Sequence, residues 1–192
     1  MILAPSKQIV LVSGSPRRKE LLESCGFSVL VRPTHVEESW PKTVATLEEG
    51  VQAIALRKLE ALPDLSTLKH IALSADTVVA HEGHVLGKPC DVQDACRMLQ
   101  RLSGATHDVV TAFCAAFCDK RVYGVVRTHV SFRELSTSDI ERYVATGESF
   151  DKAGAYAIQG VGGALIDRVD GSYTNIVGLP VNEVLMALDS FV

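Results

Sequence analysis

Along the chain, short unbroken apolar runs alternate with segments whose apolar positions recur every three or four residues. Ile9-Val10-Leu11-Val12 and Ile71-Ala72-Leu73-Ser74-Ala75 read as strands covered on both faces, since a strand with one wet face would alternate apolar with polar. After the first run, Ser15 is placed as N-cap and Pro16 as the first residue of a helix. Leu21, Leu22 and Cys25 give that helix its apolar face, and Gly26 stops it. An extended stretch over 28–33 and a polar segment with Glu37 and Glu38 precede a second helix over 46–61, which Pro63 ends. Val78-Val79-Ala80, a turn at His81-Glu82-Gly83-His84, and Val85-Leu86 predict a hairpin. Asp91, with Asp94 three positions on, caps an amphipathic helix with Ala95, Met98, Leu99 and Leu102 inward and Gly104 at its close.

Two longer strands follow, over 108–118 and 122–135. In the second, Arg127, His129, Ser131 and Arg133 alternate with Thr128, Val130 and Phe132, so one face is wet. Ser136 with Asp139 caps a helix reaching to 146. A glycine-rich segment over 147–163 leads to a strand over 164–169, an Asp170-Gly171 turn, a strand over 173–177 and a helix from Val181. This mixture predicts an α/β fold, a mixed twisted β-sheet flanked by helices. The chain of 192 residues, 47% apolar, has no low-complexity linker and no repeat, and is long enough for one domain or two tight lobes.

A formal charge of −4 argues against broad nucleic-acid or membrane-surface binding, which needs a basic footprint. No apolar stretch approaches the length of a membrane span, Lys7 interrupts any signal peptide, and five cysteines without metal spacing read as reduced thiols. A soluble cytoplasmic protein is expected.

Against that acidic background, Arg17, Arg18 and Lys19 crowd the first turn of the first helix, where the helix dipole repels cations. A docked polyanion such as phosphate accounts for them, as does a solvated basic turn. Asp76, between two apolar runs, is costly there unless a metal, a donor or water meets it; its other reading is a structural cap at a strand end. Lys88, in Leu86-Gly87-Lys88-Pro89, is a point charge suited to phosphate and equally a surface-turn residue. In 151–160, small residues beside Asp151 and Lys152 leave space next to the backbone, and Gln159 carries the paired donor and acceptor that reads a base edge. A plain glycine-rich connection fits the same residues. His81-Glu82-Gly83-His84 has the wrong spacing for a zinc helix, and no P-loop or complete dinucleotide fingerprint is present.

Five motifs, Ser13-Gly-Ser-Pro-Arg-Arg-Lys-Glu-Leu-Leu22, Ser74-Ala-Asp-Thr-Val-Val79, Leu86-Gly-Lys-Pro89, Leu99-Gln-Arg-Leu-Ser-Gly104 and Gly147-Glu-Ser-Phe-Asp-Lys-Ala-Gly-Ala-Tyr-Ala-Ile-Gln-Gly160, together resemble the Maf family of nucleotide pyrophosphatases. The last motif resembles the branch acting on dTTP and UTP. The resemblance implies one Maf-like domain over 1–192, with a cleft between two lobes of an ITPase-like fold, usually as a homodimer. It also implies hydrolysis of a nucleoside triphosphate to monophosphate and pyrophosphate with a divalent metal, Mg or Mn. By the same resemblance Asp76 is the proton acceptor and Arg17, Thr77 and Gln159 govern base choice. Ser13, Ser15, Arg18, Lys58, Lys88 and Asp151 contact substrate, and Glu37 joins Asp76 at the metal. Ser149 and Ala157 stand where the family commonly has Pro and Gly. A non-catalytic nucleotide-binding regulator of cell division, a 7-methyl-GTP-type pyrophosphatase and a phosphatase or kinase of another metabolite are the competing readings. The buried carboxylate of Asp76 argues against a pure binder, because it repels phosphate unless a metal intervenes.

Overall fold

The computed structural model describes residues 8–37, 39–41 and 44–191, and Glu38 lies outside them. Seven strands form one mixed sheet in the order β2-β1-β3-β5-β6-β7, with β4 paired to β3. β1 (Gln8–Leu11) lies between β2 (Ser28–Val31) and β3 (Ile71–His81), parallel to both. Its central place explains its unbroken apolar run: Ile9, Val10 and Leu11 are fully buried. The parallel pairs require crossovers, supplied by α1 (Pro16–Ser24) and α2 (Leu47–Glu60). Thr46 and Glu49 form a reciprocal capping box that starts α2 where the sequence places it.

β3 is continuous over eleven residues, so the two apolar runs flanking Asp76 and Thr77 are one strand. Asp76 is therefore in the middle of a strand and not at its end. Ile71–Leu73 pair with β1 and Val79–His81 with β4 (His84–Leu86), which leaves Asp76 between the two ladders.

The chain divides into two compact units, one of residues 1–76, 111–126 and 178–192, the other of residues 77–110 and 127–177. The first unit packs Ile9, Leu11, Leu22, Leu73, Phe113 and Leu179 against one another, with Val184 and Leu188 of α6 (Val181–Leu188). The second unit is built on α3 (Val92–Leu102), whose Ala95, Leu99 and Leu102 are fully buried, and α4 (Thr137–Ala145). β5 (Thr106–Phe117) and β6 (Lys120–Phe132) make a hairpin; Thr128, Val130 and Phe132 are buried, as the alternation predicts. β7 (Ile166–Asp170) pairs antiparallel with β6.

Two expectations are corrected. Residues 173–177 form a short helix, α5 (Tyr173–Val177), not a strand. The Ser172 hydroxyl accepts from the Asn175 N–H at 3.3 Å, and the Asn175 amide donates inward to Val109 O at 2.9 Å and Thr128 Oγ1 at 3.0 Å. A capped turn with a buried polar anchor overrides the β-branched pattern. The glycine-rich segment forms 3-10 turns at Ala153–Ala155 and Gly160–Leu165, and the second takes up 164 and 165, where the strand is expected to begin.

His107 of β5 is buried. Its Nε2 lies 2.8 Å from the Tyr156 hydroxyl, with Phe132 edge-on at a ring separation of 5.1 Å. Burial pushes the imidazole down to about 4, whereas an unfolded histidine titrates near 6.5. The unfolded chain therefore takes up this proton first as the pH falls. Stability contributed by neutral His107 is intact above about pH 6.5 and is lost between there and about pH 4, by up to about 3 kcal/mol. Denaturant unfolding across that window should show His107→Phe with a shallower acid limb than the parent; an unchanged slope would assign the acid sensitivity to other groups.

Candidate active site

In the first unit, two of the sequence-derived residues, Arg18 and Lys58, converge on the short piece of β3 that carries a third, Asp76. The Ser74 hydroxyl donates to Ala55 O of α2 at 2.7 Å, Arg18 donates from its guanidinium to Ala75 O at 2.8 Å, and Lys58 Nζ meets Asp76 Oδ1 at 2.7 Å. Three consecutive residues are thus tied to two helices, which fixes the direction of the Asp76 carboxylate. The Lys58 and Asp76 side chains are each 11% exposed, so the pair sits in a low-dielectric setting with few competing waters. Lys58 reaches it because it shares the buried face of α2 with Val51, Ile54, Ala55 and Leu59.

Arg18 takes a buried place on α1 beside Leu22, where an apolar face reading expects only Leu21, Leu22 and Cys25. The cation is tolerated because its guanidinium also donates to Ser13 Oγ at 3.0 Å and Gly178 O at 2.8 Å. Ser13 Oγ in turn accepts from the Ser15 N–H at 3.2 Å, which shapes the turn before the helix. Ser15 is the N-cap and Pro16 follows it, but no side chain caps this terminus and no acidic residue stands in the first turn. Arg17 is half-buried on that turn, and Lys19 forms an exposed ion pair with Glu23 at 3.5 Å. Arg18 and Lys19 are thus engaged by protein groups.

Glu37 is exposed on the coil between β2 and α2, where the Arg57 guanidinium donates to its main-chain carbonyl. The structure joins Ser13, Arg18, Lys58 and Asp76 in one network and leaves Glu37 on that separate coil. Among the described residues no group of three or more His, Cys, Asp or Glu side chains could hold a metal ion. A divalent ion carried by a triphosphate needs only one or two protein carboxylates, with phosphate oxygens and water completing its shell. Asp76, with Oδ1 toward Lys58 and a second carboxylate oxygen, fits that smaller demand.

In the second unit, Thr77 is half-buried on β3 and Lys88 is exposed in the turn between β4 and α3. That turn is joined to the glycine-rich segment, since the Gly154 N–H donates to Gly87 O at 3.0 Å. Asp151 is exposed and paired with Lys152, whose ammonium also donates to Glu148 O at 2.8 Å. Gln159 is exposed, immediately before the second 3-10 turn. Sequence reasoning did not single out Ser74, Tyr143 or Glu148. Ser74 was legible as a hydroxyl in an otherwise apolar run, whereas nothing in the local pattern marks the other two.

The cysteines at 25, 90, 96, 114 and 118 are free thiols; burial pushes Cys114 up to about 12, so it is inert. No helix among the described residues is long and apolar enough to cross a membrane.

The architecture is similar to the crystal structure of protein VC0702 from Vibrio cholerae, with a TM-score of 0.50 over 96% of this chain and 94% of that one at 10% identity. That likeness shows the fold alone. The family model for Maf-like proteins matches residues 8–191, and the chain belongs to the Maf family. It is 45% identical over 183 residues to the dTTP/UTP pyrophosphatase of Acholeplasma laidlawii, covering 95% of this chain and 96% of that protein. It is 40% identical over 184 residues to the dTTP/UTP pyrophosphatase of Bacillus pumilus, covering 96% of each.

Proposed function

We propose that this protein is a nucleoside triphosphate pyrophosphatase that hydrolyses dTTP and UTP to the monophosphate and pyrophosphate. The observation that carries the proposal is the buried Asp76–Lys58 pair, held beside the uncapped, cation-bearing start of α1. The names of relatives aligned over nearly their whole length support the choice of substrate.

In this reading Asp76 accepts the proton of a water whose oxygen attacks the α-phosphorus. The bond from that phosphorus to the bridging oxygen breaks, and pyrophosphate leaves with the electron pair. Lys58 holds the carboxylate in line. Arg17, Lys88, the Ser15 hydroxyl and the main-chain N–H groups at the start of α1 bind the phosphates, and Asp151 contributes to the same substrate site. Ser13 and Arg18 serve at one remove, by shaping the turn and supporting β3 at Ala75. Thr77 and Gln159, with Arg17, select the base. A divalent ion, Mg or Mn, bound by Asp76 with Glu37 as the second carboxylate, would offset charge on the phosphate oxygens. The whole chain works as one catalytic domain, as a homodimer, in the cytoplasm.

The test is product identity. With Mg²⁺ or Mn²⁺, purified protein should release pyrophosphate and monophosphate from dTTP and UTP in preference to CTP, GTP and 7-methyl-GTP. Orthophosphate with a nucleoside diphosphate as first products would establish a γ-phosphatase, and tight binding without turnover would establish a regulator.

A further inference from the structure

Gln159 sits at the crown of a short arch, residues 157–162, whose two feet are held by side chains from outside it. On one side the Ala157 N–H donates to the Tyr143 hydroxyl at 3.1 Å. On the other the Val161 and Gly162 N–H groups donate to Oε1 and Oε2 of Glu148, each at 3.2 Å. The Tyr143 phenol thus holds one foot of the arch and the Glu148 carboxylate the other. Tyr143 is buried at the base of α4, where burial pushes the phenol up to about 12 and keeps its proton in place.

Two glycines make the close approach possible. Gly160 has φ +75°, and a Cβ there would lie 2.6 Å from Glu148 Oε1. A Cβ on Gly162 would lie 2.3 Å from Ala157 O and 2.8 Å from the Tyr143 hydroxyl. The carboxylate therefore occupies the space that a side chain at Gly160 would fill, and the two feet of the arch nearly touch.

We propose that Glu148 and Tyr143 are positioning residues that set nucleobase selectivity by fixing the arch that presents Gln159. The inference rests on the reading of Gln159 as the base-contacting group. Glu148 spends both carboxylate oxygens on main-chain N–H groups and Tyr143 is buried, so both act through the arch. An amide reads a base edge only when both of its hydrogen bonds meet their partners, and a misplacement of about 1 Å costs on the order of 100-fold in a well-aligned site.

The experiment measures kcat and KM for dTTP, UTP and CTP, with thermal unfolding, for Glu148→Ala, Glu148→Gln, Tyr143→Phe, Gln159→Ala and the double variant Glu148→Ala/Gln159→Ala. Glu148→Ala should raise KM for dTTP and UTP about tenfold, keep kcat within about threefold, and narrow the preference over CTP. Glu148→Gln, which retains one acceptor oxygen, should restore part of that preference, and Tyr143→Phe should shift it in the same direction by less. In the double variant the preference should fall no further than in Gln159→Ala alone, because Glu148 acts only through Gln159. If Gln159→Ala erases the preference while both Glu148 variants keep it at the parent value, the positioning role is overturned and the base reading stands. A uniform kcat loss on all three nucleotides with a lowered melting temperature likewise reduces Glu148 to a structural role. If Gln159→Ala leaves the preference intact, the base reading falls and this inference with it.

Discussion

Asp76→Asn is expected to yield a folded protein whose kcat has dropped by about 10²–10⁴-fold, the usual contribution of a positioned general base. Asn can keep an oxygen toward Lys58 Nζ, now 2.7 Å from Asp76 Oδ1, so the hydrogen bond survives while the proposed proton acceptor is lost. Replacing a charged partner by a neutral one lowers stability by about 1–3 kcal/mol, which a domain of this size tolerates. Circular dichroism and a melting curve would establish the fold, and a pyrophosphate-release assay the rate. A variant that turns over dTTP at the parent rate would make Asp76 a structural residue and remove the basis for hydrolysis at this site.

Lys58→Met should weaken the protein more than Asp76→Asn does. Removing one member of a buried pair leaves the other charge uncompensated, which costs about 3–5 kcal/mol, and both side chains here are only 11% exposed. The sharper test is the double variant Lys58→Met/Asp76→Asn. With both charges gone, stability should recover toward the parent, whereas two independent losses would add. Activity should be low in all three if, as proposed, Lys58 aligns the carboxylate and Asp76 takes the proton. Denaturant unfolding of the four proteins gives the coupling directly. A double variant less stable than either single one would show that Lys58 matters for the packing of its side-chain stem and not for its charge.

Much of this architecture is written in local pattern. The buried run of β1, the caps at Asp91 and Ser136, and the alternation of Thr128, Val130 and Phe132 each follow from nearest-neighbour chemistry. The reading fails where long-range contacts decide. Tyr173–Val177 has strand-like composition, and only the Asn175 amide reaching Val109 and Thr128 makes a helix of it. By spacing Lys58 reads as a polar position of α2, and nothing nearby says that it is buried or that its partner is Asp76, eighteen residues on. Arg18 offers the same lesson: three adjacent cations suggest a shared anion, and the acceptors that take Arg18 inward come from Ser13, Ala75 and Gly178. The supports of Gln159 were illegible because Tyr143 reads only as a core position of α4 beside Ile140 and Val144 and Glu148 as a polar loop residue, and their role exists only once the arch closes.

The chain path through the two units bears on how the protein is made. The first unit is assembled from residues 1–76, 111–126 and 178–192, with Leu179, Val184 and Leu188 in its core. Arg18, which supports the strand bearing Asp76, bonds to Gly178, 160 positions away. A ribosome emits these pieces in order, so the early segments wait with apolar surface unpaired until the last helix emerges. Contacts of such sequence separation are slow to form, and partly synthesised chains are correspondingly prone to aggregate. The strand that carries Asp76 thus gains its full support only after Gly178 has been made.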